Sequence, residues 1–294
     1  MDERAALALL ETELGPAGDD AAVVDGQVMT TDMLHETTDF PGGTTRYTAG
    51  WRSVGASLSD VAAMGAEATA AVAAYAAPAF DREELAAFVR GASDVCEAVG
   101  AKYVGGDLDD HTEFTVATTA LGRTDDPVLR SGAQPGDAVC VTGTLGRSAA
   151  ALELFERGEL ERANELFRFE PRVAAGRAVA DHATAMMDSS DGLARSLHQL
   201  AEASGCGFAV ESERLPIDGA VREVADDEAT VLELATTFGE DFELVFTVPE
   251  DAAAAIADAT AVPVPTPITV IGSVLESGEV TLDGEKLADQ GYTH

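Results

Sequence analysis

Apolar positions recur along this chain in two rhythms, and the switches between them mark out strands and helices. Residues 1–14 carry an amphipathic helical pattern. A turn over 15–20 then feeds the short apolar run 21–24, and a second strand over 27–31 ends in Thr30-Thr31-Asp32. Asp39-Phe40-Pro41-Gly42-Gly43 reads as a loop. Helical spacing returns over 47–65, where Trp51, Val54, Leu58, Val61 and Met64 recur. Residues 67–77 predict a buried strand despite their alanines, because Gly65 and Pro78 bracket a short element. Residues 81–100 form a helix with Asp81 as N-cap and Glu84 at the capping-box position. A strand over 102–104 runs into Gly105-Gly106-Asp107, and 113–121 alternates as another strand.

The Gly-, Pro- and Asp-rich stretch that follows divides the chain into residues 1–122 and 137–294, with 123–136 as the linker. Beyond it the pattern predicts strands at 138–142, 208–210, 242–248, 268–274 and 280–282, the last two paired through a turn at Ser277-Gly278. Helices are predicted at 147–157, 160–167, 173–182, 193–204, 230–237 and 251–259. Strands alternating with helices in both halves give an α/β (α+β) chain of two domains.

Charge changes this picture more than size does. The 294 residues are 46% hydrophobic, enough for a folded core, but 53 acidic residues against 18 basic ones leave a formal charge of −35. Such a chain repels itself in dilute buffer, and salt at about 1 M shortens the Debye length to roughly 3 Å and removes most of that repulsion. The composition therefore points to a halophilic, salt-rich cytoplasm. It argues against duplex nucleic acid or an anionic membrane as partner. Cys96, Cys140 and Cys206 are isolated among apolar neighbours and read as reduced core thiols. No apolar run reaches the length of a membrane span, so the expectation is a soluble, cytoplasmic protein.

The chemistry concentrates at one turn. Met186-Met187-Asp188-Ser189-Ser190-Asp191-Gly192-Leu193 leaves an apolar strand, passes two carboxylates, and opens a helix with Leu193, Leu197 and Leu200 on one face. Helix N-termini offer unpaired N–H groups to phosphate oxygens, although Ser190 or Asp191 could serve as a simple N-cap. Other aspartates share the setting: Asp19, Asp20, Asp32, Asp60 and Asp107 lie beside apolar residues and small Gly, Ser or Thr neighbours. Carboxylates gathered without intervening Lys or Arg favour Mg²⁺ or Mn²⁺, and Mg²⁺ brings polyphosphate. A P-loop, a protein-kinase signature and a Gly-x-Ser-x-Gly elbow are all missing from the sequence. Gly143-Thr144-Leu145-Gly146 is a short candidate phosphate loop.

Taken in order, Gly18-Asp19-Asp20-Ala21-Ala22, Thr30-Thr31-Asp32, Ser57-Leu58-Ser59-Asp60-Val61-Ala62-Ala63-Met64-Gly65, Gly105-Gly106-Asp107, Val141-Thr142-Gly143-Thr144-Leu145-Gly146, Asp188-Ser189-Ser190-Asp191-Gly192-Leu193 and Gly239-Glu240-Asp241-Phe242-Glu243-Leu244 span nearly the whole chain. This combination resembles the thiamine-monophosphate kinases of the aminoimidazole-ribonucleotide-synthetase-like (PurM-like) superfamily. The resemblance implies ATP-dependent phosphorylation of thiamine monophosphate with several Mg²⁺ ions. It also implies an N-terminal domain that forms a homodimer through its sheet, and a C-terminal domain that closes over the nucleotide. It assigns Asp20, Thr30, Thr31, Asp32, Asp60, Asp107, Asp188 and Asp191 to metal, and Tyr103, Gly106, Arg130 and Ser190 to nucleotide. Asp39, Asp241 or its neighbour Glu240, and Tyr292 fall to the thiamine side. No general base is expected, because a phosphate acceptor with a second pKa of about 6 is already largely ionised at neutral pH. The competing readings are another ATP-using enzyme of the superfamily and a non-catalytic acidic protein that binds divalent cations.

Overall fold

Two sheets organise the protein, one from each half of the chain. The computed structural model describes residues 18–257 and 266–291, together with 10, 13 and 14. The first half contains β1 (Ala22–Val24), β2 (Gln27–His35), α1 (Glu36–Asp39), α2 (Arg46–Ala63), β3 (Glu67–Ala77), α3 (Arg82–Ala98), β4 (Lys102–Asp110) and β5 (Thr115–Arg123). Its strands lie in the order β1-β2-β5-β3-β4. The second half begins with β6 (Ala138–Thr142), α4 (Arg147–Glu156), α5 (Leu160–Phe167), α6 (Val173–Val179), β7 (Ala185–Asp188) and α7 (Leu193–Ser204). It continues with β8 (Gly207–Val210), α8 (Gly219–Val224), α9 (Glu228–Thr236), β9 (Leu244–Val248), α10 (Glu250–Ala257), β10 (Ile268–Leu275), β11 (Val280–Leu282) and β12 (Glu285–Lys286). These strands form a second sheet, β12-β11-β8-β10-β6-β9-β7.

Helix α2 holds the halves together. Its residues are small or apolar on almost every side, so the helix is buried nearly all round. It lies on the inner face of the first sheet and also packs on α6 and β7 of the second half. One apolar cluster accordingly joins Val54, Leu58 and Val61 to Met186, Leu244 and Phe246. Removing a fully buried leucine such as Leu58 costs about 2–5 kcal/mol. Leu193, Leu197 and Leu200 of α7 fill a second cluster on the far face of the second sheet, as their spacing predicts.

Several elements differ from the sequence pattern. Strand β2 does not end at Asp32 but runs on to His35, because every residue from Gln27 onward finds a partner on β5. Strand β4 likewise runs through Gly105-Gly106 instead of turning there. Gly106 lies opposite Ala73 of β3, where an added Cβ would come within 1.7 Å of the Ala73 carbonyl oxygen. That glycine permits close strand approach, not a turn. The expected β10–β11 hairpin is not formed: β8 lies between the two, antiparallel to β10 and parallel to β11. Residues 36–39 make one helical turn, so Asp39, read as opening a loop, closes a helix instead, and α8 escaped the pattern because it is short. The helix expected at 1–14 falls largely outside the described residues, as does the end of the one expected at 251–259.

Candidate active site

The pleat of the first sheet decides which of its polar residues can meet. Strand register places Asp32, Thr118, Ala73 and Gly106 in one row on the inner face, beneath α2. The next row, Met33, Ala117, Ala74 and Asp107, points to the opposite, open face. Thr30 therefore faces inward with Asp32, while Thr31 is exposed on the other side and donates its hydroxyl to the Thr118 carbonyl at 2.8 Å. Helix α2 answers the inner row. Ser57 donates to Asp32 at 2.5 Å and lies 2.7 Å from the Thr118 hydroxyl. Thr30 donates to Asp60 at 2.5 Å.

The second half brings Asp188 to the same place. It closes β7, is fully buried, and its carboxylate lies with those of Asp20 and Asp60 such that one oxygen from each falls within 4.8 Å of the others. Arg130 of the linker pairs with Asp20 through two contacts, at 3.0 and 3.2 Å, while its backbone N–H donates to Asp19. One guanidinium does not balance this much acid. Burial, and then the carboxylates of Asp32, Asp188 and Asp20, hold Asp60 well above the usual carboxylate range. Burial and the Asp20 carboxylate push Asp188 up to about 7, and burial also raises Asp32. Burial opposes the charge of Arg130, but Asp20 more than offsets it and the guanidinium stays firmly protonated. The Ser59 hydroxyl lies near enough to moderate the rise at Asp188. Even so, neither Ser59 Oγ nor Asp188 Oδ2 closes a hydrogen bond among the described residues, and both atoms are buried. An all-oxygen donor set with excess negative charge and a buried, unpartnered carboxylate oxygen fits a hard divalent cation.

Beyond Asp188, Ser190 and Asp191 are half-buried in the turn before α7, and the Ser190 carbonyl accepts the Glu240 N–H at 2.6 Å. The segment 240–243 is acidic as well, but its side chains are all engaged. Asp241 accepts the N–H groups of Gly146 and Ser148 at 2.5 and 2.9 Å, sitting at the start of α4. Burial pushes it up to about 7 in spite of those donors. Glu243 takes both arms of Arg172, at 2.6 and 2.7 Å, and the Thr142 hydroxyl at 2.6 Å. Glu240 pairs with buried Arg52 at 2.7 Å. The 143–146 loop is thus no phosphate cradle: its amides donate to Pro267, Glu243, Pro216 and Asp241.

Glu240 also borders a cavity of about 390 Å³ whose wall includes Thr38, Asp39, Leu152, Phe155 and Phe167. Asp39 is buried there, its Oδ2 accepting the His35 N–H and the Thr38 hydroxyl. Two of the residues expected to face the thiamine therefore share one pocket, whereas Asp241 is turned away into the α4 terminus. Tyr103, Gly106 and Asp107 sit on β4, at the opposite edge of the first sheet from β1, where Tyr103, Gly106 and Asp107 border a separate cavity of about 390 Å³. Strand spacing alone separates β2 from β4 by about 14 Å. Of the nucleotide set, Arg130 and Ser190 lie at the carboxylate cluster and Tyr103 and Gly106 do not. Tyr292 lies outside the described residues. Sequence reasoning missed Ser57, Arg52 and Arg172. Arg52 carries a signal in hindsight, since a cation inside a helix of small and apolar residues must be buried with a partner.

Comparison with known proteins fits this geometry. Residues 18–124 match the family described as AIR synthase related protein, N-terminal domain, and residues 134–285 match its C-terminal domain. The thiamine-monophosphate kinase of Halobacterium salinarum is 64% identical over 100% of both chains. That of Methanospirillum hungatei is 40% identical, covering 100% of this chain and 99% of its own. A solved structure described as AaThiL complexed with AMPPCP and TMP superposes with a TM-score of 0.89 at 28% identity, covering 99% of this chain and 96% of that one.

Proposed function

This chain belongs to the thiamine-monophosphate kinases of the AIR synthase related family, and on that premise we propose that it transfers the γ-phosphoryl group of ATP to thiamine monophosphate, giving thiamine diphosphate at a site built on Asp20, Asp60 and Asp188. The observation that carries this reading is the convergence of those carboxylates from both halves of the chain, one oxygen of each within 4.8 Å of the others, together with a buried Asp188 oxygen that has no partner among the described residues. Asp32 and Asp191 extend the set, and Thr30 orients Asp60. Mg²⁺ held there supplies charge neutralisation between two polyanions and stabilises the charge spread over the transferred group.

The chain's own groups do the rest. Arg130 is held by Asp19 and Asp20 beside the cluster, where its positive charge suits a phosphate even with one edge of the guanidinium taken by Asp20. Ser190 and the opening of α7 offer a hydroxyl and a helix N-terminus to the same phosphates. Asp39 and Glu240, with Leu152, Phe155 and Phe167, line the pocket for the thiamine ring system: acid for its cationic and amine character, apolar surface for its faces. No side chain is needed as general base, since the acceptor phosphate carries its own negative oxygen.

The open face of the first sheet exposes Met29, Met33, Val72 and Leu121, and we assign it to pairing of two copies, since an apolar face of this kind marks an interaction surface. Side-chain roles for Thr31 and Asp107, which share that face, depend on delivery across such a dimer. Among the described residues no helix is long and apolar enough to cross a membrane, and we place the enzyme in a salt-rich cytoplasm. The test is conversion of ATP and thiamine monophosphate in about 2 M KCl, where surface repulsion is screened, with and without Mg²⁺. Magnesium-dependent formation of thiamine diphosphate is expected. ATP bound but not consumed would shift the reading to another ATP-using member of the superfamily.

A further inference from the structure

The carboxylate cluster is split between the two halves of the chain, so its geometry depends on what keeps those halves in register. Asp60 belongs to α2 and Asp188 to β7. About two helical turns before Asp60, the same helix carries Arg52, which is 4% exposed. Its Nη2 donates to Glu240 Oε2 at 2.7 Å and approaches the Glu240 carbonyl at 3.4 Å. Its Nη1 donates to the Phe167 carbonyl at 2.6 Å and to Ser148 Oγ at 3.3 Å. The guanidinium lies 3.6 Å from the centre of the Phe167 ring. All of these partners belong to the second half.

Glu240 in turn touches the metal-side turn directly. Its N–H donates to the Ser190 carbonyl at 2.6 Å, two residues beyond Asp188. Gly239 leaves no gap between the two segments, since a Cβ there would come within 2.3 Å of the same carbonyl oxygen. The backbone at Glu240 and Phe242 is left-handed, with φ of 66° and 54°, although neither is glycine. Such conformations persist only where surrounding contacts over-determine them, and Arg52 supplies two of those contacts, both to Glu240. Stability alone does not account for an arginine here, because a buried ion pair seldom stabilises more than a well-packed apolar pair would.

We propose that Arg52 is a positioning residue: through Glu240 it fixes the 188–191 turn against Asp20 and Asp60 and so sets the geometry of the cation site. The inference rests on the reading of that cluster as a metal site. It places the determinant of cation affinity on a residue that touches neither metal nor substrate.

The experiment is a titration of metal-free protein with Mn²⁺, followed by electron paramagnetic resonance, with thermal unfolding recorded on the same samples in high KCl. Arg52→Met leaves Glu240 buried and unpaired, so Arg52→Met/Glu240→Gln is measured beside it as a variant with no unpaired charge. Arg52→Lys, which keeps the charge and loses the fork, decides the matter if neither neutral variant folds. The double variant is expected to fold and to bind Mn²⁺ about tenfold to a hundredfold more weakly, the range seen when groups behind a metal's ligands are removed, with Arg52→Lys in between. Wild-type Mn²⁺ affinity in folded variants, whatever their Tm, would overturn the proposal. A wild-type protein that binds no Mn²⁺ would instead overturn the metal reading beneath it.

Discussion

Between residues 240 and 243, Glu240, Asp241 and Glu243 are buried within one stretch of chain, and the fold gives each a partner: Arg52, two backbone amides and Arg172 respectively. Around Asp20, Asp32, Asp60 and Asp188 the acid is as dense, yet the cation paired within it among the described residues is Arg130, and Asp188 keeps a bare oxygen. Burying an unpaired charge costs far more than burying a paired one. A protein that buries acid for architecture therefore supplies the counter-charge from its own chain, as the 240–243 segment does. Where the counter-charge falls short, it must come from outside, and the oxygens of the first cluster specify a hard cation. The two regions meet at the Glu240–Ser190 hydrogen bond, so the balanced one serves as the mount for the unbalanced one.

The largest expected effect breaks the comparison at its unbalanced side. Asp188→Asn is expected to lower turnover by about a thousandfold or more, roughly 4 kcal/mol in the barrier, while the metal-free protein becomes no less stable, since a like charge has been removed. Steady-state kinetics and thermal unfolding without metal check both halves of the statement. Loss of activity together with a lower metal-free Tm would make Asp188 an architectural residue like those at 240–243.

Glu243→Ala should behave in the opposite sense. It strands Arg172, which is largely buried, and cuts the hydroxyl contact of Thr142. A loss of about 3–5 kcal/mol is expected, on the order of 10 °C in Tm, and it should be the same with and without Mg²⁺. Calorimetric scans in high KCl would show whether the deficit is indeed independent of metal.

The sequence made the first region legible and hid the second. Asp20, Asp60 and Asp188 stand in short local contexts of glycine, serine and apolar residues, and local context carries into space when each ends or flanks a regular element. The roles of Glu240, Asp241 and Glu243 depend on partners at Arg52, Gly146, Ser148 and Arg172, distant along the chain and joined only by folding. Helix α7 was legible because Leu193, Leu197 and Leu200 repeat with the helical period. Strand β4 was not, because Gly105-Gly106 carries the same letters whether it turns or lets two strands approach. The β10–β11 pairing failed for a similar reason: nothing local announces that β8 will insert between two segments joined by a turn.

Proton uptake offers a smaller and finer test. Asp32, Asp60 and Asp188 are raised in the folded state, so over part of the range between the ordinary carboxylate value and about 7 the native protein holds protons that the unfolded chain releases. Their contribution to stability is present at low pH and is lost as pH rises through that window. Metal-free Tm should therefore fall by several degrees between about pH 4 and pH 7 when surface repulsion is screened by salt. Asp241 is raised to about 7 as well, but it sits at the α4 terminus away from the cation. Added Mg²⁺ should consequently recover the share of the loss due to the cluster and leave the Asp241 share. Complete recovery would put Asp241 in the metal site.

The smallest effect separates two adjacent threonines. Thr30 and Thr31 are chemically identical, and the pleat alone distinguishes them: one hydroxyl reaches Asp60 and the other reaches the Thr118 carbonyl from the open face. Valine keeps the shape and strand preference of threonine and removes the hydroxyl. In Thr30→Val, Asp60 loses the donor that partly offsets its raised pKa, and weaker Mg²⁺ activation by several-fold is expected. In Thr31→Val the bonds to the Thr118 carbonyl and from the Thr119 hydroxyl are lost, each worth about 1 kcal/mol or less, and Mg²⁺ activation should be unchanged. Equal effects on Mg²⁺ activation would mean that Thr31 reaches a cation after all, through the open face and a second copy of the chain. The pair therefore reports, at the cost of two methyl-for-hydroxyl exchanges, whether one protomer or two complete the site.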